Sequence, residues 1–133
     1  MTAHWFDYVR VCYDLIIASE RDNQVILEHE AEAYVVHLMA RNFERTDIGE
    51  QTIAIRMLEN FHQRNKKEYA LIGDECLLIQ SFPLKRRRWP SEDYYVSMGQ
   101  MAYYMADNNT MKTNFIDASR VLSSVFKQLN TQC

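Results

Sequence analysis

Three glycines and two prolines are all that this 133-residue chain contains. Folds built from many short strands need tight turns, and tight turns draw on both residues. Their scarcity therefore favours long helices joined by few connections. The glycines stand alone at positions 49, 73 and 99, and both prolines, Pro83 and Pro90, bracket one connection. Everything between the breaks should repeat with a helical period, and it does.

Residues 3–21 carry Trp5, Val9, Cys12, Tyr13, Ile16 and Ile17 at the spacing of one amphipathic helix. Asp22-Asn23 then supplies a break and an N-cap for a second helix over about 24–43, with Leu27, Ala31, Tyr34, Val35, Leu38 and Met39 inward. Asp47 and Glu50 form a capping-box variant that opens a third helix, running to Gln63 with Ala54, Met57, Leu58 and Phe61 inward. Asn65 followed by Glu68 repeats the signal for a fourth, which buries Tyr69, Ile72, Cys76, Leu77 and Ile79 and stops at Pro83. Ser91, with Glu92 and Asp93 behind it, caps a fifth helix holding Tyr94, Tyr95, Met98, Met101, Ala102 and Met105. Asp107-Asn108-Asn109 ends that helix. The sixth, over 111–129, buries Phe115, Ala118, Leu122, Val125, Phe126 and Leu129.

The runs 33–36 and 76–79 have strand-like composition, but they lie inside longer helical periods, and length decides for helix. Gly73 within the fourth helix marks a close helix approach. Gly99, Ala102 and Ala106 would let a neighbour near the fifth. The fold class predicted is all-α, a compact bundle of five or six helices forming one domain over 1–133.

An apolar fraction of 47% against 25% charged residues suits a globular domain rather than a disordered chain. The N-terminal residues show no basic segment followed by an apolar run, so no signal peptide is expected, and no uncharged run is long enough for a membrane span. Cys12, Cys76 and Cys133 form no CxxC pair. Cys12 and Cys76 fall on apolar faces as free thiols, which suits a reduced, cytoplasmic location.

The net charge of −3 is unevenly spread: residues 1–50 balance to −6, residues 51–90 to +4 and the remainder to −1. The positive region centres on Lys85, Arg86, Arg87, Arg88 and Trp89 between the two prolines. As a nucleic-acid site this cluster offers cations for phosphates and an indole for stacking. An acidic chain, a short cluster and the following Ser91-Glu92-Asp93 argue against that use. The alternative is a proline-bounded elbow whose arginines pair with Asp74 and Glu75 upstream and Glu92 and Asp93 downstream.

The tyrosine pairs 94–95 and 103–104 sit on one helix. In each pair one ring can face the core while the other lies at the edge or outward, where tyrosine suits a protein interface. Residues 85–104 are therefore the candidate partner-binding surface: Lys85, Arg86, Arg87, Arg88, Trp89, Tyr94, Tyr95, Tyr103 and Tyr104, facing a protein partner or a second copy.

Di-iron carboxylate bundles need Glu-x-x-His on two helices. Glu59 and His62 match once, and Glu30 and His37 share a helical face, so these four residues are the metal alternative, an oxidoreductase. Glu28, Glu30 and Glu32 point around their helix and read as a solvated face. His37, near Tyr34 and Arg41, reads as a hydrogen-bonded packing residue. No phosphate loop or nucleophile–base pair stands out, so no catalytic residue and no cofactor is expected.

Gly73-Asp74, Cys76-Leu77-Leu78, Phe82-Pro83, Arg87-Arg88, Ser91, Tyr94-Tyr95, Met98-Gly99 and Ala102-Tyr103 make up a pattern over 73–104 that resembles uncharacterised bacterial all-helical proteins. The resemblance covers about a quarter of the chain. It implies a bacterial source and an all-helical fold, and it implies no activity.

Overall fold

The structure is a computed structural model that describes residues 2–42, 56–57, 59–60, 63–81 and 92–131. Five helices run through these residues: α1 Thr2–Asn23, α2 His29–Arg41, α3 Lys66–Ser81, α4 Glu92–Met105 and α5 Asn109–Thr131. No strand occurs among the described residues, and the chain is an all-α bundle. The predicted helix over 47–63 falls mostly outside them, although residues 56–57 and 59–60 within it are helical.

The longest helix, α5, touches all four others. Its Met111, Phe115, Ala118, Val121, Leu122 and Val125 are buried at helical spacing, and Ser19 Oγ on α1 donates to the Val121 carbonyl (2.8 Å). Each large apolar side chain on this stripe stabilises the fold by roughly 2–3 kcal/mol relative to exposure. By contrast, α3 is buried around most of its circumference, from Tyr69 and Ile72 through Cys76, Leu77, Leu78 and Ile79. It is the bundle's interior helix, and it packs most extensively against α4.

The glycines at 73 and 99 permit that packing. A Cβ built on Gly73 would lie 2.9 Å from Tyr103 Cδ1, and one on Gly99 would lie 2.3 Å from Phe115 Cε2. Both distances are too short for real contacts, so a side chain at either position would push an aromatic ring out of its place in the core.

Three helical segments end without glycine. Gln24, Arg64 and Asp107 all adopt left-handed φ, at 55°, 49° and 60°. Behind Gln24, Val25 N–H reaches the Glu20 carbonyl (3.0 Å) and Gln24 N–H reaches Arg21 (3.3 Å); behind Asp107, Asn108 N–H reaches Tyr103 (2.8 Å) and Asp107 N–H reaches Tyr104 (3.0 Å). These are Schellman motifs, which satisfy orphan carbonyls but usually place glycine at the left-handed position. The predicted second helix therefore starts late. Residues 25–28 are extended, with Val25 and Leu27 buried and Ile26 92% exposed. The predicted cap at Asn65 holds, its Oδ1 accepting the Lys67 and Glu68 N–H groups (3.0 and 3.3 Å), while Asn108, expected only to end the preceding helix, also caps α5, its Oδ1 accepting the Met111 N–H (3.0 Å).

The α1–α2 junction is closed by a buried acid. Glu20 Oε2 accepts the Leu27 N–H (2.9 Å), and the Glu32 carboxyl stands beside it. Burial, with the Glu32 contact behind it, raises Glu20 from the ordinary 4.5 to about 7.

Two residues expected in the core point outward: Tyr13 is 48% exposed and Met101 51%. Their helices are wide enough in apolar residues that the stripe overruns the buried face.

Candidate functional site

The interior helix α3 carries one carboxylate into the core. Asp74 is buried, and its Oδ1 accepts the hydroxyls of Tyr34 from α2 (2.6 Å) and Tyr103 from α4 (2.7 Å). Arg41 Nη2 on α2 stands 3.6 Å from Oδ2, with its side chain half exposed. The two rings meet edge to face at 5.9 Å, and Tyr103 tilts onto Phe115 at 6.1 Å. Three helices thus converge on a single side chain.

Desolvation raises Asp74 above its ordinary 3.8, and the two tyrosine hydroxyls and Arg41 oppose that rise. Both phenols are raised in turn, by burial first and by the adjacent carboxylate second. Neither tyrosine can ionise near neutral pH, so both remain donors. The chemistry of the cluster is that of a satisfied buried acceptor. Every short contact is to the protein itself, and it fixes how α2, α3 and α4 meet.

Glu75, the next residue, pairs with Arg56, whose guanidinium also holds Glu68 at 2.8 Å. Among the described residues the charge partner of Asp74 is Arg41, and the expected pairing with the arginines of the 85–89 elbow lies outside the described residues. Lys85, Arg86, Arg87, Arg88 and Trp89 themselves lie outside the described residues, as do the side chains of Glu92 and Asp93.

The four tyrosines of α4 divide. Tyr103 is fully buried at 0% exposure, which corrects its place among the surface candidates; its hydroxyl is spent on Asp74. Tyr94 and Tyr95 are half-buried against the core and meet edge to face at 5.1 Å. Only Tyr104 projects outward, 56% exposed, with Lys112 Nζ of α5 at 4.9 Å from its ring centroid. Met101, one turn back on α4, and Ile116, one turn beyond Lys112 on α5, are exposed as well, and Gln100 Nε2 donates to the Lys112 carbonyl (3.3 Å) across the two helices. Sequence periodicity could not have singled out Met101 and Ile116, because both sit at the margins of apolar stripes. Tyr95 and Tyr104 are about 14 Å apart along the helix axis, so the candidates at 94–95 and at 104 are separate surfaces.

The metal alternative gains no cluster. Glu30 and Glu59 are exposed, Glu30 accepting a 3.4 Å hydrogen bond from Thr110, and His62 lies outside the described residues. His37 is exposed rather than packed, its Nδ1 donating to the Ala33 carbonyl at 2.8 Å. No group of three or more His, Cys, Asp or Glu that could hold a metal ion occurs among the described residues. Cys12 and Cys76 are buried free thiols raised by desolvation to about 11 and about 12, so neither is an activated nucleophile.

Geometry and chemistry together define a small helical bundle with a self-satisfied polar centre and an apolar patch on the outer face of α4 and α5. No described helix is long and apolar enough to cross a membrane. Compared with family models, with curated proteins and with solved structures, the chain matches none.

Proposed function

We propose that the protein is a protein-binding module, an adaptor or regulatory subunit, that docks its partner on the outer face of α4 and α5. The observation that carries this reading is the exposed trio Met101, Tyr104 and Ile116, gathered on two adjacent helices beside Lys112. A rigid aromatic ring with few rotamers to freeze is a favourable anchor, and the Lys112 ammonium over one side of it selects a partner segment that pairs an apolar side chain with a carboxylate. Two helices that are themselves locked to the core through Asp74 and Phe115 hold the anchor in place before binding. The buried thiols Cys12 and Cys76 suit action in a reduced, cytoplasmic compartment.

The test compares tagged wild-type protein with a Tyr104→Ala/Ile116→Asp variant, both checked for wild-type unfolding midpoints. A stoichiometric partner recovered with the wild type and lost with the variant supports the reading. A partner recovered equally with both places the interface elsewhere, and self-association removed by the same variant identifies the partner as a second copy.

A further inference from the structure

The connection between α1 and α2 turns one large apolar side chain fully outward. Its extended backbone puts alternate side chains on one side: Val25 and Leu27 are buried, while Ile26 and Glu28 face solvent, Ile26 at 92% exposure. Glu20 holds this segment from beneath, its carbonyl accepting the Val25 N–H (3.0 Å) and its Oε2 that of Leu27 (2.9 Å). Ile26 therefore stands out from a fixed backbone, with little left to order on contact. Glu28, the N-cap residue of α2, makes no side-chain cap hydrogen bond, and its carboxylate is exposed beside Ile26.

A receptor of matching chemistry lies on the same two helices. A groove of about 370 Å³ between α1 and α2 is lined by Val9, Tyr13, Ala33 and Val36, with Arg10 exposed among them. The one acid in its lining, Glu32, stands beside Glu20 of its own chain. His29, three residues after Ile26, also lines the groove, so knob and groove are neighbours. Among the described residues neither Arg10 nor Glu28 has an ion pair within the chain. The knob offers an aliphatic group beside a carboxylate, and the groove offers an apolar floor beside a guanidinium.

We infer that a second copy of this chain covers the groove: in a two-fold dimer, Ile26 of each copy enters the α1–α2 groove of the other, and Glu28 of each pairs with Arg10 of the other. An unrelated partner would account for the knob or for the groove, whereas a second copy accounts for both. A two-fold axis between them makes each contact twice, as a self-complementary interface requires. One isoleucine and one groove per copy make a small interface, so association is weak and reversible. The contact lies on α1 and α2, apart from the docking face on α4 and α5, and does not rest on that reading.

The experiment is sedimentation equilibrium of the full chain. Between about 1 µM and about 1 mM it should show a monomer–dimer equilibrium, half complete near about 100 µM and stopping at the dimer. Ile26→Asp, at an exposed position, should leave the unfolding midpoint unchanged and keep the protein monomeric over this range. Glu28→Arg and Arg10→Glu should each weaken the dimer about tenfold, because each charge acts twice. The double swap Glu28→Arg/Arg10→Glu should return it to within about threefold of wild type. Tyr104→Ala/Ile116→Asp should dimerise as wild type does. A monomer throughout the range, growth beyond the dimer, a dimer kept by Ile26→Asp, or a double swap no better than either single change would overturn the inference. A dimer lost in Tyr104→Ala/Ile116→Asp but kept in Ile26→Asp would overturn it as well, and would move self-association to the docking face.

Discussion

Replacing Asp74 by alanine should destabilise the protein far more than replacing it by asparagine. Asp74→Ala strands the Tyr103 hydroxyl, which is fully buried, and the Tyr34 hydroxyl, which is partly so. A buried polar group left unpaired costs about 1–3 kcal/mol, and Tyr34 recovers some of that through water, giving a net loss of about 2–4 kcal/mol. Asp74→Asn keeps a carbonyl oxygen for both phenols. It gives up the Arg41 contact, worth at most about 1 kcal/mol for a half-exposed guanidinium, and is relieved of burying a charge. Its stability should fall within about 1 kcal/mol of wild type. Urea unfolding followed by far-UV circular dichroism separates these outcomes, and at this chain length each kcal/mol moves the thermal midpoint by about 3–5 °C. Tyr103→Phe completes a double-mutant cycle in which the coupling to Asp74→Ala should reach about 1 kcal/mol or more. Equal losses for alanine and asparagine, or an alanine variant within about 0.5 kcal/mol of wild type, would refute the idea that hydroxyl satisfaction is what Asp74 contributes.

Gln24→Gly and Asp107→Gly should each stabilise by about 1 kcal/mol, since both positions hold left-handed φ in Schellman motifs; the midpoint in urea reads this directly, and no gain would argue against the motif. Gly99→Ala should destabilise by about 1–3 kcal/mol, because its methyl meets the Phe115 ring, and the near-ultraviolet aromatic signal should change with it. Glu20, raised from 4.5 to about 7, holds its proton more tightly in the native state than in the unfolded chain. Its contribution is therefore complete below about pH 4.5 and is lost as pH rises through about 7; Glu20→Gln should flatten this part of the stability profile, and an unchanged slope would exclude the Glu20–Glu32 pair as its source.

Helix existence was legible because the apolar residues repeat at 3.6 and few breakers interrupt them. The start of α3 was legible because Asn65 offers a side-chain oxygen to the N–H groups that follow it. The stop at Gln24 was not, because a left-handed residue that is not glycine leaves no local signature, and Asp22-Asn23 resembles an N-cap as closely as it resembles a C-terminal turn. That Asp74 would be buried between two tyrosines was not read from the sequence, because charge counting ignores burial. The signal was there: an acid at the centre of a helix that is apolar on nearly every side must find donors inside the fold, and Tyr34 and Tyr103 lie on the facing stripes. Tyr103 and Tyr104 divided inward and outward as adjacent helical residues must. Which of the four tyrosines stays exposed depended on the neighbour at Lys112, a contact between helices that no single-helix pattern contains.

The most direct measurement of the docking proposal is site-specific photo-crosslinking in cells, with benzoylphenylalanine placed in turn at positions 104, 101 and, as a control, at Arg10 on α1. A binding module that uses the outer face of α4 and α5 should give the same discrete adduct from positions 104 and 101, and position 10 should not give it. Adducts from position 10 alone, or none from 104 and 101, would contradict it.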